Sequence, residues 1–180
     1  MIDEEFLRCK EIAKNFVETK FVELGEFYIE SKKILKIYEK FQDRSKYTKL
    51  QFIKLMLVTY KLGELLGLDD NKSCMSPNET KIIFALRSVG LNVRANVYVK
   101  NQKWDCVVDG INNEILVKID VQSEATHSNE EQQKIDKEKI KKAKRMEKNI
   151  PVLVFTGKQI NYEIDDVIRE VLSTLQEKLK

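Results

Sequence analysis

Residues 104–127 read WDCVVDGINNEILVKIDVQSEATH, and this stretch decides the reading of the whole chain, because only here do acidic residues interrupt strongly β-forming runs. Cys106, Val107 and Val108 make a short β-prone run. Gly110, Asn112 and Asn113 tolerate positive φ, and Ile115 to Val121 resumes the apolar pattern, so the spacing predicts a β-hairpin. On its second strand the two-residue period puts Ile115, Val117, Ile119 and Val121 on one face. Leu116, Lys118, Asp120 and Gln122 fall on the other. The first set is core. The second set, with Asp105 on the neighbouring strand, offers two carboxylates to a hard divalent cation, which takes one or two protein oxygens and completes its shell with water and phosphate. A lysine or glutamine beside them can position an attacking water and offset charge developing on a phosphate. The competing reading is a solvated face, as one side of an antiparallel sheet commonly is.

Working outward from the hairpin, LNVRANVYV after Gly90 reads as a strand, followed by a polar turn at Lys100 to Lys103. Before it, Ser76, Pro77 and Glu79 form a helix start. Ser76 is the cap, Pro77 sits at the first helical position, and Glu79 can reach back to the cap. That helix runs through Ile82, Ile83, Leu86 and Val89 and stops at Gly90 as a left-handed cap. After the hairpin, residues 131–148 place Ile135, Ile140, Ala143 and Met146 on one helical arc. Lysines and Arg145 crowd that helix, but acidic residues are interleaved, and charge runs of this kind are usually solvated faces. PVLVFT at Pro151 to Thr156 has the continuous apolar character of a buried strand. Gly157 and Lys158 read as a turn, and a final helix spans roughly residues 164–179.

Residues 3–68 contain no proline and carry apolar residues three and four apart, the pattern of helices. Leu7, Ile12, Phe16 and Val17 make one stripe; Phe27, Ile34, Leu35, Ile37, Tyr38 and Phe41 make a second. Thr48 with Gln51 resembles a capping box that opens a third helix through Phe52, Leu55, Met56, Tyr60 and Leu66. The polar run at residues 69–73 is the expected boundary. The fold class is therefore α/β (α+β). A helical unit over residues 1–70 precedes a unit over residues 76–180 whose order is helix, three strands, helix, strand, helix.

Composition narrows the function classes. With 180 residues and 42% hydrophobic content the chain can bury an ordinary core. Charged residues make up 34% with a formal net charge of +3, so a polyanionic partner has to be argued from a local patch. Cys9, Cys74 and Cys106 are odd in number, far apart and without companion histidines. They suggest neither a disulfide framework nor a zinc site, and a reducing compartment is expected. The start MIDEEF is acidic where a secretory signal would be basic and then apolar, and no apolar run reaches membrane-spanning length. The expectation is a soluble cytoplasmic protein with no membrane association.

The element order and the acidic positions together resemble the core of the PD-(D/E)XK restriction-endonuclease-like superfamily, here as αβββαβα, and most closely its branch of very-short-patch-repair-type endonucleases. The matching stretches are SPNE at Ser76 to Glu79, WDC at Trp104 to Cys106, KIDV at Lys118 to Val121, His127, DKEK at Asp136 to Lys139, and PVLVF at Pro151 to Phe155. The resemblance covers Ser76 to the C-terminus and leaves the helical unit outside it. It implies that Asp105 and Asp120 bind Mg2+ or Mn2+, that Glu79 assists from its helix, and that Gln122 stands in for the family's lysine. It also implies hydrolysis of nucleic-acid phosphodiester bonds, with DNA as the first candidate partner. His127, the only histidine, becomes a candidate general acid or base. Lys139, Lys142 and Arg145 become candidate phosphate contacts. The N-terminal helices would serve substrate placement or self-association as a homodimer. The chain also departs from the pattern. Lys118 stands where the relatives carry glutamate, Val121 replaces their glycine, and His127 is displaced by a few residues. Lys118 is then either a relocated catalytic lysine or the mark of a site that has decayed into a non-catalytic module binding nucleic acid or protein.

Overall fold

A computed structural model of the chain describes residues 2–21, 28–41, 47–68, 76–122, 130–146 and 149–180. It divides into two compact units, Met1–Thr80 and Lys81–Lys180. The boundary expected at residues 69–73 lies outside the described residues.

The first unit contains α1 (Ile2–Phe21), α2 (Tyr28–Phe41) and α3 (Lys49–Leu65). The capping box opens α3 as expected: the Gln51 N–H donates to Thr48 Oγ1 at 3.3 Å, and the Thr48 N–H donates to Gln51 Oε1 at 2.9 Å. The stripe on α1 is rotated from the expected one. Leu7 and Ile12 are exposed, whereas Phe6, Ala13 and Val17 are buried, and with half-buried Cys9 and Phe16 they make the spacing of a helix face turned to a neighbour. Phe6, Ala13 and Leu62 form one buried cluster. Val17, Ile34, Ile53, Met56 and Leu57 form a second.

Helix α4 (Pro77–Ser88) runs across the division, and the second unit continues with β1 (Asn92–Val99), β2 (Gln102–Asp109), β3 (Ile115–Gln122), α5 (Glu130–Met146), β4 (Val152–Thr156), α6 (Gly157–Tyr162) and α7 (Ile164–Lys178). Over the described residues the chain is mixed α/β, with seven helices and one four-stranded mixed sheet in the order β1-β2-β3-β4. The first two pairings are antiparallel and β3 runs parallel to β4. Helix α4 ends as the glycine predicts. Gly90 adopts φ 86, its N–H bonds to Arg87 O at 2.9 Å, and the Leu91 N–H bonds to Leu86 O at 3.2 Å, the two bonds of a Schellman motif. The β1–β2 connection is tighter than the polar turn expected over residues 100–103. Lys100 and Asn101, at φ 47 and 65, make a two-residue hairpin loop, so Gln102 and Lys103 already belong to β2. The turn expected at Gly157 and Lys158 is instead the start of α6. Thr156 and Gln159 repeat the reciprocal capping seen at Thr48 and Gln51, and that cap converts the turn into helix.

The two central strands are covered on both faces. Cys106, Val107, Val108, Val117 and Ile119 are buried, and so are Lys118, which has no exposed surface, and Asp120, 5% exposed. The solvated reading of the Lys118 and Asp120 face is therefore overturned, because α5 lies over it. That helix meets the sheet through Ile140 and Ala143, packed with Trp104, Val107 and Val152. Ile135, expected in the core arc, is exposed instead. The inward arc is the one three and four residues apart through Asp136, Lys139, Ile140 and Ala143. On α7, Ile164, Val167, Ile168, Val171 and Leu175 are buried; at roughly 1.5–3 kcal/mol for each such side chain, this helix is a principal source of the unit's apolar burial. Among the described residues no helix is long and apolar enough to cross a membrane.

Candidate active site

The β2–β3 register shifts between Val108 and Asp109, and the sheet is irregular again at Asp105. The β1–β2 ladder passes from Ala95↔Cys106 to Val97↔Trp104 without pairing Asn96 to Asp105. Asn96 has φ 49, a left-handed conformation that asparagine tolerates better than most residues. The β2–β3 ladder reaches Cys106↔Ile119 and goes no further. On β3 the Lys118 N–H bonds to Pro151 O at 3.0 Å, on the β4 side, so by alternation the Val121 N–H points towards β2. There it donates to Oδ2 of Asp105 at 2.7 Å, a side-chain acceptor in the place of a backbone carbonyl. The packing records the disturbance. Trp104 and Val107 share one buried cluster, although a regular strand would put residues three apart on opposite faces.

This break sets a half-buried carboxylate, Asp105, beside a buried one, Asp120. Asp105 sits at the end of the β2–β3 pairing, one step beyond Cys106↔Ile119 and thus level with Asp120. Burial is the main reason its carboxyl is held above the usual range; the charge of Asp120 raises it further, while the Val121 N–H, Lys139 and Lys103 act in the opposite direction. Asp120 accepts a charge-assisted hydrogen bond on Oδ1 from Lys139 Nζ. Among the described residues each carboxylate therefore has one oxygen engaged and one left over. The Lys139 ammonium also lies 4.4 Å from the centroid of the Trp104 ring, and the Lys118 ammonium lies 5.1 Å from the same ring, within the range of cation–π attraction. Trp104 Nε1 and both amide atoms of Asn96 are buried without a hydrogen-bond partner among the described residues. Three such atoms on either side of Asp105 carry a desolvation cost that a bound water or ligand would offset.

Among the described residues no group of three His, Cys, Asp or Glu side chains forms a ligand cluster. The donor set for an ion is Asp105 and Asp120. Two carboxylate ligands fit a hard cation that keeps water and phosphate oxygens in the rest of its shell, and a desolvated carboxyl raised further by a neighbouring negative charge favours one.

A cleft of about 560 Å3 opens beside Lys139, between the start of β2 and α5. Its lining carries five cationic side chains, Lys103, Lys139, Lys141, Lys142 and Arg145, against two acids, Asp136 and Glu138. The weak global charge thus conceals a local excess, and Lys139 belongs both to the cleft and to the carboxylate pair.

The structure brings together Asp105, Asp120, Lys118 and Lys139 from the expected set, and it places Lys142 and Arg145 along the adjoining cleft. Gln122 is half-buried in the last pair of β3, opposite Thr156. Glu79 belongs to the first unit. It is buried, its N–H donates to Ser76 Oγ at 3.3 Å, and its carboxylate accepts from that hydroxyl at 3.1 Å, so a local capping role accounts for it. His127 lies outside the described residues. Asp109 is buried and held by the Arg94 guanidinium through both carboxylate oxygens. Sequence reasoning missed Asn96 and Trp104, and it assigned Lys139 to phosphate alone. The available signal was the spacing of Asp136, Lys139, Ile140 and Ala143, which competes with the arc through Ile135. Comparison of the chain with protein families, with curated proteins and with solved structures gives no match.

Proposed function

We propose that the second unit is a metal-dependent nuclease-type domain that hydrolyses phosphodiester bonds of nucleic acid, DNA first among them, with Mg2+ or Mn2+. One observation carries this reading: half-buried Asp105 and buried Asp120 lie level on neighbouring strands, and the charge of Asp120 adds to the desolvation that holds the Asp105 carboxyl above its usual range. Such an arrangement costs stability and is characteristic of functional sites. The sheet order, with β2 antiparallel to the other three strands, supports the restriction-endonuclease-like core that the sequence resembles. In hydrolysis a water oxygen bonds to phosphorus, a P–O ester bond breaks, and the leaving oxygen takes up a proton. Asp105 and Asp120 would hold the ion, which supplies charge compensation for the phosphate and activation of the water. Lys103, Lys142 and Arg145 would hold backbone phosphates along the cleft. The unpaired Trp104 Nε1–H is a donor for a water or phosphate oxygen.

A second reading, a nuclease-fold module that binds nucleic acid or a protein without cleaving, is favoured by one feature. Lys139 already neutralises Asp120, and Lys118 occupies a position where the resemblance expects a carboxylate. Incubating plasmid, single-stranded DNA and RNA with Mg2+ or Mn2+ and either the native chain or Asp120→Ala separates the two. Cleavage abolished by the substitution supports the nuclease. Salt-dependent binding without cleavage by the native chain supports the module.

A further inference from the structure

We propose that Lys139 is an exchangeable internal cation: its ammonium holds Asp120 until a divalent ion takes the carboxylates, and it then turns into the cleft to face the phosphate. The inference rests on the metal-dependent reading above and adds to it a competitor built into the chain.

Three observations lead here. Of the lysines near the carboxylates, Lys103 acts on Asp105 through space and Lys118 stays inside the sheet, so only Lys139 both bonds a carboxylate and reaches the cleft. Lys118 is completely buried within β3, paired across the sheet with Val107 and Val152. Lys139 reaches in from α5 with 22% of its side chain exposed and also lines the open cleft, so a modest rotation moves its ammonium from one to the other. Second, its bond to Asp120 engages a single oxygen, as a compact, rotatable ammonium does, and lacks the two-point grip of a guanidinium. Third, Trp104 lies 4.4 Å below the ammonium and can accompany part of the movement, since a ring face attracts a cation over a range of positions. Once displaced from Asp120, the Lys139 ammonium adds its charge to the cleft it already lines.

Exchange makes Lys139 a competitor of the ion in binding and a contributor in cleavage, so one substitution moves the two in opposite directions. Titrating Mn2+ into the full chain by calorimetry, with thermal melting as the check on folding, tests this. Lys139→Met is expected to bind Mn2+ about tenfold more tightly, the change produced by removing a competitor worth roughly 1.4 kcal/mol, while cleaving at least about a hundredfold more slowly. Lys139→Arg, which keeps the charge and presents two donors to Asp120, is expected to bind Mn2+ more weakly than the native chain. Unchanged or weaker Mn2+ binding by a folded Lys139→Met would overturn the proposal and leave Lys139 a fixed structural partner. If neither the native chain nor Lys139→Met binds Mn2+, the metal-dependent reading falls and this one with it. Tighter Mn2+ binding by Lys139→Met in a chain that cuts nothing would keep the exchange and remove only the nuclease.

Discussion

The same sheet holds two buried carboxylates paired with basic side chains, and the difference between them separates architecture from chemistry. Asp109, at the end of β2, meets the Arg94 guanidinium with both oxygens: Nη2 donates to Oδ1 at 2.8 Å and Nε donates to Oδ2. The Arg94 pKa is raised chiefly by this hydrogen bond. Asp120, near the end of β3, meets the Lys139 ammonium with one oxygen and has a second carboxylate beside it. The first pair is saturated, and planar two-point recognition fixes it. The second keeps an oxygen and an unfavourable neighbour in reserve. A structural ion pair uses up its bonding capacity, whereas a site that must admit a ligand leaves some unspent.

The largest effect expected from this contrast is functional. Asp120→Asn should reduce cleavage in the presence of Mg2+ by about a hundredfold or more and weaken Mn2+ binding in parallel, with the melting temperature within a few degrees of native. The lost attraction to Lys139 is partly offset by relief of repulsion with Asp105. Asp109→Asn should leave cleavage intact when assayed well below its melting temperature. If the two substitutions abolish cleavage equally, the distinction between the pairs collapses.

Stability should reverse the ranking. Breaking a buried ion pair by removing one partner commonly costs several kcal/mol, but Arg94 keeps 47% of its side chain in solvent, so screening reduces the expected loss for Asp109→Asn to about 2 kcal/mol. For a unit of this size that is a fall of roughly ten degrees in Tm. Chemical unfolding of native, Asp109→Asn and Asp120→Asn chains side by side provides the check, and equal losses at the two positions would break the comparison.

How far the sequence alone reveals these pairs depends on which periodicity carries the information. The hairpin, the Schellman end at Gly90, the cap at Thr48 and the strand at Val152 were legible, since each rests on a local rule with one dominant residue. The convergence of Asp105 and Asp120 was legible as well, because the two-residue period of β3 and one hairpin suffice to align them. The helix that covers them was not read correctly. Apolar content favours the arc through Ile135, whereas the arc that meets the sheet carries Asp136 and Lys139, charged groups that acquire an inward role only once the sheet supplies partners. The break at Asn96 and Asp105 was also illegible, since nothing in NVRANVYV marks an asparagine with positive φ within a strand. A cap short enough to read, at Thr156 and Gln159, was overlooked beside the more conspicuous Gly157.

The basic lining of the cleft sharpens the contrast at lower amplitude. Lys142 and Arg145 are exposed and make no ion pair with either buried carboxylate, so they should contribute affinity without contributing order. Lys142→Ala with Arg145→Ala should weaken nucleic-acid binding several-fold at low salt. The slope of log affinity against log salt should become shallower by close to 2, at about 0.9 for each phosphate that the variant no longer neutralises. Melting should be unaffected. Fluorescence anisotropy across a salt series measures the slope, and an unchanged slope would move the nucleic-acid path away from α5.

The smallest expected effect is the most specific to the difference between the pairs, because its sign is the unusual one. Substituting a buried carboxylate that is hydrogen-bonded generally destabilises, and Asp109 should behave so. Asp105 should not. Its folded pKa lies above the unfolded one, with burial first and Asp120 second among the causes, so its charge opposes folding at neutral pH. Asp105→Asn retains an oxygen to accept from the Val121 N–H, removes the charge that repels Asp120, and adds an amide N–H₂ group able to donate to it. In the metal-free chain, with a chelator present, the variant should be more stable by on the order of 1 kcal/mol, the gain typical of relaxing a functional group held against its preference. The advantage should shrink as pH falls through the raised pKa, since the native carboxyl then takes up its proton in the fold and the penalty disappears. Added Mn2+ should reverse the order, stabilising the native chain through both carboxylates and the variant much less. If Asp105→Asn melts lower than the native chain in chelator, the carboxylate at the break in the sheet contributes to the fold as Asp109 does, and the middle and the end of β2 are built for the same purpose.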